Sequence, residues 1–214
     1  MKNRHAVITR MLYKEDDPQF EERLAIYRAF SLPRLKLQTV QDFDIVILCN
    51  KKHARVFKEL GLKVAFYKDG FLGHRPRGLY NSFTPFENIE GMDMYDIQTS
   101  IDSDDLVAEN YIWRIRKAIE IEGYDKSLHI HFQEELYNPH TLERKSMKIK
   151  YGVPPKNWGS AFYSLYQPDK KNYIFAGQET HLHISQHFEK SILIGEGYCW
   201  AMIHGSNDST TMDS

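Results

Sequence analysis

Short apolar runs recur at regular distances along the first 70 residues, and each run predicts a buried strand. Between the runs, the apolar residues change to a spacing of three and four, which is typical of helices. The predicted strands cover three segments: His5–Met11, Asp44–Cys49 and 62–67. An order of strand, helix, strand, helix, strand favours a parallel sheet with right-handed crossovers.

The first predicted helix begins at Asp17-Pro18, a capping residue followed by proline at the first helical position. Its buried face is marked by Phe20, Leu24, Tyr27 and either Ser31 or Phe30, and Pro33 is expected to end it. A second helix is predicted over residues 51–60, with Gly61 as its stop signal. Neither a Gly-x-Gly-x-x-Gly motif nor a Walker lysine motif follows the first strand. A nucleotide would therefore be bound differently from the way in which dehydrogenases and P-loop proteins bind it.

Residues 94–106 carry the strongest chemical signal of the chain. Apolar and polar residues alternate through Ile101, which predicts a strand, and helical spacing begins near Ala108 and stops at Gly123. Three carboxylates lie between these two elements: Asp102, Asp104 and Asp105. Open α/β sheets bind ligands where a strand ends and a helix begins.

Two interpretations of these acids compete. Hard divalent cations prefer oxygen ligands, and a magnesium-type ion is usually bound by one or two carboxylates together with substrate phosphates. Alternatively, Ser103 or Asp104 only caps the following helix, where negative charge is favourable. Capping accounts for one acid well and for three acids within four residues poorly. A calcium EF-hand is excluded, because Leu106, Val107 and Trp113 occupy positions at which that loop needs ligands and a glycine.

The composition fits one sizeable domain without a basic surface. The chain has 214 residues, with 28 Lys and Arg against 29 Asp and Glu, so a nucleic-acid partner is not expected. Cys49 and Cys199 both lie in apolar runs and are predicted to be buried thiols of a reducing, cytoplasmic compartment. No signal peptide or transmembrane segment is predicted. We expect a single domain over residues 1–205, followed by a flexible polar tail over 206–214, which is interpreted as a linker to further domains.

Other segments offer weaker candidates. The glycine-rich segment 69–81 carries Arg75 and Arg77, and is either an anion-binding loop or a solvated connection. Another strand is predicted over Leu128–Phe132, with two histidines on one face that are interpreted as structural. The segment 151–166 is predicted to be an aromatic loop, and a last strand is predicted over 197–205. Three histidines, at 181, 183 and 187, lie near Glu179, but a zinc site without cysteine is not favoured.

Four segments in this order resemble the rhamnosyltransferase family, whose members have the GT-A glycosyltransferase fold and occur in bacteria and large DNA viruses. The resemblance spans nearly the whole chain. Its segments are Thr9-Arg10 at the end of the first strand, residues 31–43 (SLPRLKLQTVQDF), residues 100–105 (SIDSDD) and residues 203–207 (IHGSN).

The resemblance implies a mainly parallel, Rossmann-like α/β domain that transfers a sugar from a nucleotide-diphosphate donor, with UDP as the preferred nucleotide. In GT-A enzymes an Asp-x-Asp motif binds Mn²⁺ or Mg²⁺ on the donor pyrophosphate, and this motif corresponds to Asp102 and Asp104. A late histidine that binds the same ion in some families corresponds to His204. The resemblance further implies donor contacts from the ends of the first two strands and from the neighbours of the acids: Thr9, Arg10, Asn50, Lys51, Ser100 and Ser103.

The expected function is the metal-dependent transfer of rhamnose or another hexose to a glycan or glycoprotein acceptor. If the transfer inverts configuration, a base must take the acceptor proton, and Glu179 in its polar loop is the first candidate; a solvated glutamate at a helix start is the alternative. Two other functions fit the same residues: a metal-dependent phosphohydrolase, or a nucleotide- or glycan-binding module without turnover. The hydrolase would release nucleotide without an acceptor, and the binding module would not hydrolyse the donor at all.

Overall fold

A computed structural model of the chain describes residues 4–11, 17–66, 91–146, 162–168, 185 and 188–202. The helices are α1 (Gln19–Ile26), α2 (Leu32–Lys36), α3 (Ala54–Glu59) and α4 (Tyr111–Glu122). The strands are β1 (His5–Met11), β2 (Asp44–Cys49), β3 (Lys63–Ala65), β4 (Ile97–Ser100), β5 (Asp105–Val107), β6 (Leu128–Phe132), β7 (Glu135–Tyr137), β8 (Arg144–Ser146), β9 (Tyr163–Tyr166), β10 (Lys190–Ile194) and β11 (Cys199–Met202).

A mixed sheet of seven strands forms the centre of the fold, in the order β10-β6-β9-β4-β1-β2-β3. Its neighbouring strands are parallel except for β9, which is antiparallel to both β4 and β6. Because β9 reverses direction between them, β4 and β6 run the same way. The six strands other than β9 therefore end at one common edge, which we call the carboxyl edge.

A smaller sheet, in the order β5-β11-β7-β8, extends from the carboxyl edge. Strand β5 begins at Asp105, directly after the predicted ligands, and pairs antiparallel with β11, so that Asp105 lies opposite Ala201. Strand β7 begins three residues after β6 ends and pairs parallel with β11. The second sheet thus joins the ends of β4 and β6 through β11.

The described helices pack on one face of the large sheet. Helix α1 buries Phe20 and Leu24, and the residue after the helix, Tyr27, is buried with them against Met11 and Ile47 of the strands. Helix α4 buries a stripe of side chains with helical spacing, which packs against β4 and β6: Tyr111, Ile112, Ile115 and Ile119. The opposite face carries a second cluster that includes Ala6, Ile8, Met92 and Phe188. Strands covered on both faces account for the nearly continuous apolar runs in the sequence.

The sequence predictions of β1 and β2 are confirmed at both ends, and so is β6. The stop signals at Gly61 and Gly123 are confirmed as well, because both residues have positive φ, 76° and 96°, directly beyond their helices. Both cysteines are buried. Within the described residues, no helix is long and apolar enough to span a membrane.

Pro33 does not end the first helical segment, contrary to the prediction. A π turn over Tyr27–Ser31 follows α1, and α2 continues through the proline. In this turn the amide of Leu32 donates to the Tyr27 carbonyl, five residues back. Proline lacks an amide hydrogen and crowds the preceding turn, and π turns accommodate such breaks in the α-helical pattern.

Two further predictions were wrong, one beside the acids and one in the second half of the chain. The segment predicted as a loop up to residue 166 contains β9, which lies in the middle of the large sheet. Strand β5 begins at Asp105 and lies between Asp104 and α4, where a direct passage from strand to helix was expected. Strands of three or four residues give too short a pattern for the sequence to indicate them.

Candidate active site

Arg10 and Asp102 meet at the point where the strand order of the large sheet reverses. From β1 the chain adds β2 and β3 on one side, and then returns to place β4 on the other side. The crevice outside the carboxyl ends of two such strands is the usual ligand site of open α/β sheets. Arg10 Nη2 lies 3.1 Å from Asp102 Oδ1 across this crevice. Both side chains are nearly half exposed, at 44 % and 42 %.

Hydrogen bonds of the backbone hold residues 101–105 in place, a segment that we call the acidic turn. The Ile101 amide donates to the Ile8 carbonyl at 3.1 Å, which continues the pairing of β4 with β1. The Asp105 amide donates to the Asp102 carbonyl at 3.2 Å, and the Asp102 amide donates to Asp105 Oδ2 at 3.3 Å. These contacts turn the chain so that the Asp102 side chain faces the crevice while Asp105 faces the core.

The three aspartates have different environments. Asp102 is exposed to the crevice, whereas the Asp104 side chain is 12 % exposed and forms an ion pair with Arg23 of α1. Asp105 is buried. Burial raises the pKa of Asp105 well above its ordinary value, and the charges of Asp102, Asp104 and Glu134 raise it further. Because Asp105 is buried and faces the core, an acceptor in the crevice reaches it less readily than it reaches Asp102.

The other predicted donor-binding residues that the structure describes also lie at the carboxyl edge. Lys51 is exposed just beyond β2, and Asn50 beside it is 9 % exposed. Thr9 and Ser100 lie near the ends of β1 and β4. Both are buried, so they lie beneath the surface of the carboxyl edge. The sheet thus brings together residues that are more than 90 positions apart in the sequence.

Four predicted site residues lie outside the described residues: Arg75, Arg77, His204 and Glu179. The predicted polar tail and the three histidines near Glu179 also lie outside them. The described part of β11 ends at Met202, two residues before His204.

The carboxylates at the carboxyl edge provide the oxygen ligands that a hard divalent cation prefers. Within the described ranges, no group of three or more His, Cys, Asp and Glu residues is arranged to bind a metal ion. A magnesium-type ion commonly takes one or two carboxylates and completes its coordination with water and phosphate oxygens. The exposed Asp102 and the adjacent Asp104 match that pattern of donors.

Residues 31–39 bond to residues 103–109, the stretch that carries the acids and leads to α4. Two of the segments that carry the family resemblance are therefore in contact in the structure. Ser31 Oγ donates to the carbonyl of Ser103 at 2.9 Å, between the two predicted ligands. The Thr39 amide donates to the Glu109 carbonyl at 2.7 Å. Gln38 is buried, and its amide nitrogen donates to the Ala108 carbonyl at 2.7 Å.

Gln38 also caps α4 from a distance. Its Oε1 accepts a hydrogen bond from the Ile112 amide at 3.0 Å, one of the amides that has no partner within the helix. The N-cap residue Asn110 makes no side-chain cap of its own. Sequence reasoning missed this role, because no local pattern indicates a cap from a residue 74 positions away.

Gln38→Met is expected to lower the free energy of unfolding by about 1–3 kcal/mol, the usual cost when a buried polar group, here the Ile112 amide, loses its hydrogen-bond partner. The Ala108 carbonyl still accepts from the Tyr111 amide. Methionine has a similar shape but cannot bond to the Ala108 carbonyl or the Ile112 amide. Urea unfolding measures the change. Gln41→Met is the matched control, since Gln41 is exposed and, among the described residues, its side chain donates to carbonyls of its own segment. Equal losses in both variants would contradict the capping role.

Sequence reasoning also missed Arg23 and Glu134. Arg23 lies between Phe20 and Leu24 of the buried helix face, at the border where a long side chain can reach a neighbouring element. Glu134 follows β6 at the carboxyl edge and is 8 % exposed. Neither residue belongs to a motif that would have indicated a site.

The comparisons with known proteins concern the family and the fold. The model of the family described as "Putative rhamnosyl transferase" matches residues 1–214. No curated protein matches the sequence. The structure of S. aureus TarS residues 1–349 with UDP-GlcNAc is similar with a TM-score of 0.52 and 12 % identity, over 97 % of this chain and 62 % of that one. A longer TarS structure gives a TM-score of 0.51 and 12 % identity, over 94 % and 37 %.

This chain therefore spans less than two thirds of the TarS chains that it resembles. At 12 % identity the similarity shows the fold alone. It confirms the fold class expected from the sequence, an α/β domain of GT-A type with a large, mainly parallel sheet flanked by helices.

Proposed function

Because the chain belongs to the rhamnosyl transferase family whose model matches it from end to end, we propose that it transfers a hexose from a nucleotide-diphosphate donor. The donor is UDP-linked in this proposal, and the acceptor is a hydroxyl group of a glycan or glycoprotein. The rhamnose preference named by the family is part of the proposal. The UDP-GlcNAc bound to TarS, a protein of the same fold, supports a UDP-linked donor.

The observation that carries the proposal is the pair formed by Arg10 and Asp102 at the switch point of the sheet. A guanidinium group can bind a diphosphate, and a carboxylate can bind the cation that accompanies it. The two groups are 3.1 Å apart and are both accessible from the crevice. The negative diphosphate would then face the positive Arg10, and its cation would face the negative Asp102.

The residues divide the chemistry as follows. Asp102 and Asp104 offer carboxylate oxygens to Mn²⁺ or Mg²⁺, and His204 is proposed as a further ligand. A divalent cation at this position acts as a Lewis acid that stabilises the departing diphosphate. Arg10 pairs with the diphosphate charge once the donor is bound. The exposed ammonium group of Lys51, beyond β2, is proposed to contact the same anion, as are Arg75 and Arg77.

The nucleoside end of the donor is proposed to lie over β1 and β2. Thr9 is buried, so its side chain shapes the floor below Arg10, and Asn50 offers its amide beside Lys51. Ser100 and Ser103 are both buried, and they are proposed to pack beneath the carboxylates that bind the donor. The acceptor then approaches from the side of the crevice on which β6 ends.

Calorimetric titration of UDP tests the proposal. UDP is expected to bind in the presence of Mn²⁺ and to lose at least about tenfold in affinity when EDTA removes the ion. Equal affinity in both conditions would contradict the metal dependence, and absence of binding in both would contradict the nucleotide donor. In the same titration His204→Ala is expected to weaken only the binding that requires Mn²⁺. Release of UDP from UDP-sugar only when a glycan acceptor is added would separate a transferase from a phosphohydrolase.

A further inference from the structure

We propose that Arg23 is a positioning residue that orients the Asp104 carboxylate toward the donor site. The inference rests on the proposed function, because it assigns Asp104 a role in binding the donor. Arg23 lies 81 positions before Asp104 in the sequence, and helix α1 brings its guanidinium group to the carboxyl edge. There Nη1 of Arg23 donates a hydrogen bond to Oδ2 of Asp104.

The burial of this ion pair distinguishes it from the ion pairs on the surface. The Arg23 side chain is 15 % exposed and that of Asp104 is 12 %, whereas the exposed pair of Arg55 with Glu59 has values of 88 % and 60 %. A pair that is shielded from water interacts more strongly and is less screened by salt. Removing one partner of a buried ion pair is generally costly, because the remaining charge stays shielded from water.

Helix α1 is a firm support for Arg23. Phe20 and Leu24 on either side of it are 5 % and 2 % exposed, and both belong to the core cluster beneath β1 and β2. The Arg23 carbonyl accepts a hydrogen bond from the amide of Tyr27, which is fully buried. The base of the Arg23 side chain is therefore fixed by packing on the same strands that end in the crevice.

The π turn after α1 brings a second contact onto the same loop. Ser31 donates its hydroxyl hydrogen to the Ser103 carbonyl, adjacent to Asp104. In a continuous α-helix, Ser31 would lie about 80° around the axis from Arg23. The π turn over Tyr27–Ser31 has more residues per turn and reverses part of this rotation, so both side chains reach one loop. Insertions of this kind often occur at functional sites.

The geometry favours positioning over direct contact with the donor. Arg23 Nη1 donates to Oδ2 of Asp104, which fixes the direction in which the Asp104 carboxylate points. A carboxylate with one oxygen held by hydrogen bonding is the usual arrangement when a second shell of residues orients a ligand. Arg10, in contrast, is 44 % exposed and lies in the crevice itself.

A double-mutant cycle on UDP affinity, measured in Mn²⁺, tests the inference. Arg23→Gln is expected to weaken UDP binding at least about tenfold. In an Asp104→Asn background, the same substitution is expected to change the affinity less than about twofold, because Arg23 then has no carboxylate to orient. Arg28→Gln is the matched control, since it removes the same charge from an exposed position in the adjoining π turn, and it is expected to leave the affinity unchanged.

Each outcome decides the question. Equal losses in both backgrounds would show that Arg23 contacts the donor directly and would overturn the positioning role. If Arg23→Gln binds UDP with the wild-type affinity, the positioning role is overturned as well. The wild-type titration would still uphold the proposed function in that case. Failure of the wild-type protein to bind UDP would overturn both. If Arg23→Gln does not fold, Arg23→Lys keeps the charge, and it is expected to lose at least about threefold in affinity only when Asp104 is present.

Discussion

Asp104→Asn is expected to weaken Mn²⁺-dependent UDP binding by more than about tenfold and to lower the rate of sugar transfer by at least about 100-fold. Asparagine keeps the shape of the side chain and removes its negative charge, so the affinity of the site for a divalent cation falls. Asp102→Asn is expected to act in the same direction. Calorimetry measures the binding, and release of UDP in the presence of an acceptor measures the transfer.

Stability has to be measured alongside, because Asp104→Asn also removes the partner of Arg23. We expect the free energy of unfolding to fall by about 1–3 kcal/mol, the usual cost of losing a charged hydrogen bond at a position with little exposure. Asp125→Asn is the matched control: Asp125 is exposed in the turn before β6, at the edge of the sheet opposite the carboxyl edge. If the control loses as much transfer activity as Asp104→Asn, the acids at the carboxyl edge have no special role.

Glu179→Gln is expected to leave UDP binding unchanged and to lower transfer to an acceptor by at least about 100-fold, as the loss of a general base typically does. The substitution keeps the size of the side chain and removes its basicity. Steady-state transfer at several acceptor concentrations, together with UDP calorimetry, separates the two effects. Glu120→Gln, on the exposed side of α4, is the matched control.

The prediction for Glu179 requires the chain between β9 and β10 to reach the crevice from the opposite edge of the sheet. The last described residues of β9 and the first of β10 lie at the edge opposite the carboxyl edge, because β9 runs antiparallel and β10 starts there. Glu179 is 12 residues beyond Gln167, and an extended chain of that length spans about 40 Å. A strand of five residues measures only about 17 Å, so the distance to the crevice can be bridged. If Glu179→Gln transfers the sugar at the wild-type rate, the base has to be sought among the other acids of the cleft, Asp105 included, and Glu134 at the carboxyl edge is a further candidate.

The local patterns of the sequence determined the main elements and the place of the chemistry. Strands β1, β2 and β6 are almost entirely buried and rich in apolar residues, so their pattern is short and strong, and their predicted bounds agree with the observed ones. The acids at 102, 104 and 105 were predicted to follow a strand end, and they do follow β4. A family resemblance carried by separated segments indicated the fold class and the transferase activity, and the matching family model supports that assignment.

Only the tertiary structure decided which side chains meet. Arg10 reaches Asp102 because β1 and β4 are neighbours in the sheet, and Arg23 reaches Asp104 because α1 packs over the ends of β1 and β2. The acids also differ in exposure, from the open Asp102 to the buried Asp105, although their spacing in the sequence gives no sign of it. Periodicity reports the face on which a residue lies, whereas contacts between distant residues depend on strand order and helix packing, which local sequence does not encode.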